Sequence, residues 1–496
     1  MVEQYSTLSW RNGLPVSGVL LTLLSLVGCS LGPEYVRPQN HATSESAFLS
    51  DLSGRDAAEV AAPAESSWWL RFNDPLLNAW ISRLHSENLD LRVSLERIEQ
   101  SRQQVRIQSG ARWPALGISG DGGRRFAPDA LANGERDYRS EVNLASGISW
   151  QLDLFGRIRQ GIKAAHYQAS AREQDYIGLR QSLIAELVGH RARLALLEKE
   201  IEIQQTIVSS REQTLNTVNR RYRLGVKNAS AVDVHTAREN LSTAQATFNA
   251  LKLALDETYL AVDRLLNQAP GGERLSSVGF PLLPPMPVPV LISPAQLLDQ
   301  RPDILGSELR LKAANAGIGV AVADLFPDLT LTASGGFVGS QIGGLLVNDQ
   351  AVGSIITQLN TRLFEGGRLR AQIRLREAEA RELAWQYANV VLTAMIEVET
   401  ALVQERSLRA QVDNLLASVA SARRAEALSR ERYQRGITSL LELLETQRRW
   451  QNAERNLLAA QQASWNARIN LHLALGGDWQ LGQPVPPQSR SRGKEK

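Results

Sequence analysis

The residue type best suited to covalent chemistry occurs once in this chain of 496 residues, as Cys29. Upstream of it lie Arg11 and an apolar run from Leu14 to Val27. A basic start, a short apolar core and small residues before a cleavage point are typical of an export signal. The run is shorter than a membrane-spanning helix requires. Cleavage is therefore expected directly before Cys29, which would remove residues 1–28 as a signal peptide.

The residues that end at Cys29 resemble a bacterial lipobox, the signature at which lipoproteins are acylated and cleaved. The resemblance implies that Cys29 is acylated; the alternative is an unmodified cysteine behind an ordinary signal. Ser30, not an aspartate, follows the cysteine. By resemblance to bacterial sorting rules, this directs the lipoprotein to the outer membrane. Each buried CH₂ of an acyl chain contributes about 0.8 kcal/mol, so several chains would hold the N-terminus in outer-membrane lipid.

No other residue pattern indicates catalysis or a cofactor. The six histidines are isolated, and the sequence has no His-Glu-x-x-His, cysteine pair or phosphate-binding glycine loop. The net charge of +3 comes from charges of both signs along the chain, without a basic stripe for nucleic acid. The sequence therefore predicts neither an enzyme nor a nucleic-acid-binding protein.

The rest of the chain is an internal duplication, and a near-constant offset indicates one long unit copied once. Three pairs of segments correspond, at offsets of 211, 213 and 209: Arg221-Tyr222-x-x-Gly225 with Arg432-Tyr433-x-x-Gly436, Trp113-Pro114 with Phe326-Pro327, and Leu154-Phe155 with Leu363-Phe364. Seven of the nineteen prolines lie from Pro270 to Pro294, which indicates a linker between the copies. The predicted segments are a signal peptide (1–28), an acylated arm (29–66), a first repeat (67–275), a linker (276–296), a second repeat (297–480) and a tail (481–496).

Long stretches without proline predict long helices, Gly156–Arg223 in the first repeat and Gly366–Gln434 in the second. A second helix follows a glycine-containing turn in each repeat. In the later long helix, Tyr387, Val391 and Ala394 belong to an apolar stripe of coiled-coil type. Each repeat is therefore expected to contain an antiparallel helical hairpin.

Alternation of apolar and polar residues predicts four strands, most clearly over the fourteen residues Glu141–Leu154. The others lie near Leu116–Asp121, Leu329–Phe337 and Ala351–Leu363. Such strands suit a membrane barrel or a half-buried soluble sheet, and the export signal favours the barrel. Four strands leave open edges, which lipid does not tolerate, so the chain is expected to form a homo-oligomer. The expected fold class is α+β.

Several motifs in order resemble the TolC-like outer-membrane efflux proteins, in the lipoprotein branch called NodT-like. They are Ser149-Trp150-Gln151-Leu152-Asp153-Leu154-Phe155-Gly156-Arg157, Leu363-Phe364-Glu365-Gly366-Gly367-Arg368, Arg301-Pro302-Asp303, Ala474-Leu475-Gly476-Gly477-Asp478-Trp479, both Arg-Tyr-x-x-Gly segments and, after Cys29, Gly32-Pro33-Glu34-Tyr35-x-x-Pro38. The resemblance implies a homotrimer with a twelve-stranded β-barrel and a periplasmic α-barrel. It also implies a passive exit duct for small molecules such as drugs, working with a periplasmic adaptor (membrane fusion protein) and an inner-membrane transporter.

The resemblance places the two hairpin turns at the periplasmic tip, where the adaptor would dock. The implied docking residues are Arg221, Tyr222, Gly225 and Val226 in the first turn and Arg432, Tyr433, Gly436 and Ile437 in the second. The physical role of both glycines is to adopt positive φ where a helix ends.

Acidic rings narrow the duct near the second tip in the family, and here Asp413, Glu426 and Glu431 are the candidates. Arg430 stands where an acidic residue is expected, and the alternative is that these carboxylates are ordinary solvated helix charges. Two other functions stay open: a type I protein-secretion duct, and a lipid-anchored periplasmic coiled-coil protein without a pore.

Overall fold

The computed structural model describes residues 31–38, 67–128, 136–226, 229–271, 274, 279–284, 294–341, 343 and 345–477. Cys29, the signal peptide, most of the arm and the linker, and the tail lie outside the described residues. After a 3₁₀ turn at Trp68–Phe72, the elements follow in this order: α1 (Pro75–Glu87), α2 (Leu89–Gly110), β1 (Ala115–Pro128), β2 (Arg136–Leu152), α3 (Arg157–Arg223), α4 (Ala231–Leu265), α5 (Pro294–Gln300), α6 (Pro302–Ala323), β3 (Asp328–Gly339), β4 (Ala351–Asn360), α7 (Arg368–Gln434) and α8 (Leu440–Ala474).

The helices repeat in length as well as in order. Helices α2 and α6 each have 22 residues, α3 and α7 each have 67, and α4 and α8 each have 35. The predicted helical hairpins are therefore confirmed as α3–α4 and α7–α8. The stripe residues Tyr387, Val391 and Ala394 are all buried, because a 3.6-residue period keeps them on one face of α7.

The described chain divides into two compact units, and each takes segments from both repeats. We call the first the strand unit: Ile98–Arg172, Ser307–Tyr387 and the described residues up to Pro38. The second, the hairpin unit, comprises Glu173–Gly306, the described residues of Gln39–Arg97, and those from Ala388 onward. Its largest apolar core joins the aromatic residues Trp68, Trp69 and Phe72 to Trp465 and to aliphatic side chains of α1 and α3.

The four predicted strands form one antiparallel sheet in the order β1-β2-β3-β4. The fourth ends at Asn360, three residues before the predicted Leu363. A row of apolar side chains crosses the sheet, because the register pairs Leu116 with Ile148, Ile148 with Ala333, and Ala333 with Ile355. The adjacent row, on the opposite face, has Gly117, Gly147, Ser334 and Ser354.

Among the described residues, the side chains on the apolar face of this sheet remain exposed. Leu116 is 73% exposed, Ile148 45% and Ile355 80%. A half-buried sheet of a soluble protein would cover these side chains. Among the described residues, no helix combines the length and the apolar character needed to cross a membrane.

Candidate functional site

The first hairpin turn is a Schellman motif, which explains the Arg-Tyr-x-x-Gly pattern position by position. Gly225 adopts φ 64°, and its N–H donates to the carbonyl of Tyr222 at 3.1 Å. The N–H of Val226 donates to the carbonyl of Arg221 at 3.1 Å. Glycine is required because a side chain disfavours this left-handed conformation.

The second turn repeats the motif. Gly436 has φ 78° and donates to the carbonyl of Tyr433 at 3.0 Å, while Ile437 donates to that of Arg432 at 2.9 Å. The helices that follow are both capped by serine: the hydroxyl of Ser230 accepts the N–H of Asp233, and that of Ser439 accepts the N–H of Glu442, each at 3.2 Å. Helix α4 begins eight positions after Arg223 and α8 six positions after Gln434, so the first turn is longer than the second.

One cross-hairpin contact breaks the equivalence of the two turns. The guanidinium carbon of Arg221 lies 4.4 Å from the centre of the Tyr433 ring. Its Nη2 donates to the carbonyl of Tyr433 at 2.5 Å and to that of Gln434 at 3.1 Å. These carbonyls belong to the last turn of α7. The carbonyl of Tyr433 also accepts the N–H of Gly436, so Arg221 adds a second cap to the end of α7.

The two tyrosines consequently have different environments. Tyr433 is 6% exposed and packs against Val218, Val234 and Leu443, whereas Tyr222 is 49% exposed. Burial raises the pKa of the Tyr433 hydroxyl, and the charge of Arg221 opposes that rise. Arg432 is exposed, unlike its counterpart Arg221.

Glu426, one of the three candidate gate carboxylates, is buried in a polar network beneath the tip. Its Oε1 accepts Nη2 of Arg430 at 2.5 Å and Nε2 of Gln447 at 3.4 Å. Nη2 of Arg430 also donates to the hydroxyl of Ser210 at 2.8 Å, which joins α7 to α3. Arg211 donates to the amide oxygen of Gln447. Burial lowers the pKa of Arg211, and the charge of Glu426 opposes this.

The other two candidates lie elsewhere on α7. The side chain of Glu431 is 49% exposed and pairs with Arg435. Asp413 is exposed at the rim of a cavity of about 320 Å³, which Glu405, Arg409 and Leu283 also line. The three carboxylates therefore do not meet within one chain.

Sequence reasoning missed the network around Arg211. The sequence does contain a pattern that indicates this network. An apolar stripe runs along α3 through Ile207, Leu215 and Val218, and Arg211 occupies one of its positions. A charged residue in such a stripe needs a buried partner.

The N-terminal residues Leu31–Pro38, which we call the strap, are fixed to α6 within the strand unit. The carboxylate of Glu308, 3% exposed, accepts Nη2 and Nε of Arg37 at 2.8 and 3.0 Å, the hydroxyl of Tyr35 at 3.1 Å, and an ion pair from Lys312 at 2.9 Å. Burial acts to raise the pKa of Glu308, but the hydrogen bonds and charges of Arg37 and Lys312 outweigh it, so the pKa is lowered.

The backbone of the strap also lies directly against the backbone of α6 and of the residues just before α3. A Cβ on Gly319 would lie 2.9 Å from the carbonyl oxygen of Leu31, and a Cβ on Gly32 only 2.7 Å from Cα of Gly319. The N–H of Leu31 donates to the carbonyl of Phe155 at 3.4 Å, just before α3 begins. The strap motif can be recognised in the sequence, but its partner Glu308 cannot, because Glu308 lies 271 positions after Arg37.

At the junction of sheet and helices, Phe155 stacks on Phe326 with ring centres 4.8 Å apart and planes at 26°. Asp153 caps α3 there, accepting the N–H groups of Ile158 at 3.1 Å and Arg159 at 2.8 Å. This explains why a strand gives way to a helix at this point.

A family model described as outer membrane efflux protein matches residues 80–268 and again 293–477. The two matches fall on the two repeats. Together they cover more than half of the chain.

Individual proteins are similar over nearly the whole length. The toluene efflux pump outer membrane protein TtgC of Pseudomonas putida is 30% identical over 93% of this chain and 96% of its own. The outer membrane protein OprJ of Pseudomonas aeruginosa is 32% identical over 95% of this chain and 98% of its own. Among solved structures, the Campylobacter jejuni CmeC outer membrane channel superposes with a TM-score of 0.81 at 25% identity, covering 91% of this chain and 95% of that chain.

Proposed function

This chain belongs to the outer membrane efflux protein family, and we propose that three copies form the exit duct of a tripartite efflux pump. The chain is an outer-membrane efflux channel protein. In the proposed assembly the duct passively conducts small molecules such as drugs. A periplasmic adaptor and an inner-membrane transporter deliver these molecules from the periplasmic side.

The sheet is the observation that supports this proposal most. One of its faces carries exposed apolar side chains, and β1 and β4 have unpaired edges within the described chain. In lipid each unpaired backbone group costs several kcal/mol, so the edges need partners. Three copies would give twelve strands, an even number within the range of bacterial membrane barrels. A coiled-coil protein without a pore has no use for such a sheet.

A second element of the proposal is that Cys29 is acylated and that the strap fixes the lipid near the strands. Two residues of extended chain span at most about 7 Å, so an anchor at Cys29 would stay close to Leu31. The N–H of Leu31 donates a hydrogen bond to the carbonyl of Phe155, which lies just after the end of β2. Radioactive palmitate should label the wild-type chain, and Cys29→Ser should abolish the label.

The proposed adaptor-docking surface consists of the two hairpin turns. Tyr222, Val226 and Ile437 are exposed there. Exposed apolar and aromatic side chains at a polar tip suit a protein partner. The longer first turn would make the two docking positions of each chain non-equivalent.

Reconstitution in a planar bilayer tests the duct. We expect discrete conductance steps from a detergent-purified trimer, and no steps from protein-free bilayers. A stable monomer in detergent, or a trimer without conductance, would contradict the proposal. Conduction of an unfolded polypeptide in preference to small solutes would favour the protein-secretion duct instead.

A further inference from the structure

A cavity of about 320 Å³ lies within the hairpin unit, and we call it the linker cavity. Its walls come from the described part of the linker and from helices α7 and α8: Leu283, Pro284, Glu405, Arg409, Val412, Asp413 and Ser464. The volume lies at the lower end of the range for small-molecule pockets, about 300–1,000 Å³. None of these residues belongs to the hairpin turns or to the sheet.

The linker cavity contains a buried carboxylate that is only half satisfied. Glu405 is 5% exposed, and its Oε1 accepts Nη2 of Arg409 at 3.1 Å and Nη2 of Arg468. Its Oε2 is also buried, yet no residue that the structure describes donates a hydrogen bond to it. An ionised carboxylate can only accept hydrogen bonds. Because a buried acceptor without a donor is costly, Oε2 is expected to bond to a molecule in the cavity.

A second buried group in the lining has no partner either. Ser464 of α8 is 6% exposed, and its Oγ makes no hydrogen bond with any of the described residues. Other buried or half-buried hydroxyls of the long helices, such as those of Thr214 and Thr258, donate to the carbonyl four positions earlier. The hydroxyl of Ser464 is therefore available to a ligand as a donor or an acceptor.

The charges around the linker cavity cancel. The carboxylates of Glu405 and Asp413 are balanced by the guanidinium groups of Arg409 and Arg468, both of which pair with Glu405. A charged ligand would leave one uncompensated charge in a partly buried site, which is unfavourable. A neutral ligand avoids this cost.

The rest of the wall is apolar. Val412 is 2% exposed and belongs to a core cluster with Leu457 and Ala460, and Leu283 packs against that cluster. An apolar cavity of about 150 Å³ is large enough to hold benzene. With about 320 Å³, the linker cavity has room for an aromatic ring together with a polar group.

We propose that the linker cavity binds a small neutral alcohol or phenol with an apolar body. The hydroxyl of the ligand donates to Oε2 of Glu405 and accepts from the hydroxyl of Ser464, while the apolar body packs against Val412 and Leu283. One hydroxyl satisfies both groups, because it is a donor and an acceptor at once. The site lies within one chain, so it does not depend on the proposed trimer or duct.

Equilibrium dialysis of radiolabelled benzyl alcohol against the full-length protein in detergent tests the site. Uptake by micelles alone rises without saturation, whereas the cavity should add a saturable component of one molecule per chain. Unlabelled benzyl methyl ether should compete about tenfold more weakly than unlabelled benzyl alcohol, because an ether cannot donate to Glu405. Benzylammonium should also compete weakly, because it brings an uncompensated charge.

Three variants at two buried serines locate the binding. Ser464→Ala removes one partner of the ligand and should weaken binding about fivefold. Ser464→Leu fills the cavity and should abolish the saturable component. Ser429→Ala is the matched control, because the hydroxyl of Ser429 is also buried and without a partner among the described residues but lies outside the cavity lining. It should bind benzyl alcohol as wild type does.

Saturable binding that is weakened by Ser464→Ala and unchanged by Ser429→Ala supports the inference. Uptake no greater than that of empty micelles would overturn it and leave the cavity to water alone. Equal competition by the ether and the alcohol, or equal binding by Ser464→Ala and wild type, would overturn the assigned hydrogen bonds. Bilayer conductance is measured on the same preparation, so a conducting trimer without saturable binding rejects the site and leaves the duct intact.

Discussion

Arg37 reaches Glu308 across 271 positions of sequence, with its Nη2 2.8 Å from one carboxylate oxygen and its Nε 3.0 Å from the other. The pair fixes the strap to α6, close to the point where the lipid anchor is proposed. Hydrogen bonds to a charged partner contribute about 1.5–3 kcal/mol, so this clamp is strong enough to test by a single substitution.

Glu308→Gln should loosen the strap without unfolding the strand unit, because the amide keeps the shape and loses the charge. We expect cleavage after Tyr35 by chymotrypsin to become about tenfold faster or more, since local opening controls access. Glu34→Gln, in the same segment but exposed, is the matched control and should leave the rate unchanged. Equal rates for all three proteins would show that the clamp does not hold the strap.

Asp74→Ala should destabilise the hairpin unit by about 3–5 kcal/mol, because it removes the carboxylate paired with the buried Arg191. Nε of Arg191 lies 2.6 Å from Asp74 Oδ2, and the two side chains are 3% and 7% exposed. Asp74 also caps α1, accepting the N–H groups of Leu76 and Leu77.

Asp74→Asn separates these two roles, since an amide can still cap the helix. We expect it to be less destabilising than Asp74→Ala by about 1 kcal/mol, as measured by urea unfolding in detergent. Identical losses for the two variants would show that the cap contributes nothing.

His472 should make the hairpin unit sensitive to acid. Its ring stacks on Trp68 with centres 4.5 Å apart, and burial, helped by the charges of Arg468 and Arg71, lowers its pKa from 6.5 to about 3. Between these values the unfolded chain binds a proton that the folded chain does not. Stability is therefore lost as pH falls from 6.5 toward 3, by about 1.4 kcal/mol per pH unit.

His472→Phe keeps an aromatic ring beside Trp68 and cannot titrate. Its unfolding midpoint should fall less than that of wild type between about pH 7 and about pH 5. The same pH dependence in both proteins would assign the acid sensitivity to other groups.

Glu431→Gln should reduce cation selectivity in a planar bilayer, because three exposed carboxylates at one level of a trimer attract cations. Glu426→Gln should change selectivity little and lower the unfolding temperature instead, because Glu426 is buried against Arg430 and Gln447. A selectivity change in Glu426→Gln alone would reverse this assignment.

Much of the fold was predictable because it depends on local patterns. The Asp74-Pro75 start of α1, both glycine turns and the alternation of β2 each depend on a few neighbouring residues. Element ends were less predictable: β4 stops at Asn360 although the apolar alternation continues to Leu363, because pairing with β3 ends there.

The candidate site was predicted only in part. The sequence grouped Glu426 with Glu431, since both are acidic and close on one helix. The structure separates them, because Glu426 is buried against Gln447 of another helix while Glu431 is exposed, and helix orientation is not a local property. Glu308 was absent from the prediction for the same reason: its strap partners, Tyr35 and Arg37, precede it by 273 and 271 positions.

The sequence by itself determined that the unit is duplicated, that each copy carries a helical hairpin and two strands, and that both hairpins end in the same glycine turn. These properties follow from residue spacing and backbone conformation, which act over a few residues. The tertiary structure decided which copies of the repeated residues find partners. Tyr433 is buried beneath Arg221 while Tyr222 is half exposed, because a chain with two repeats makes the contact between them only once.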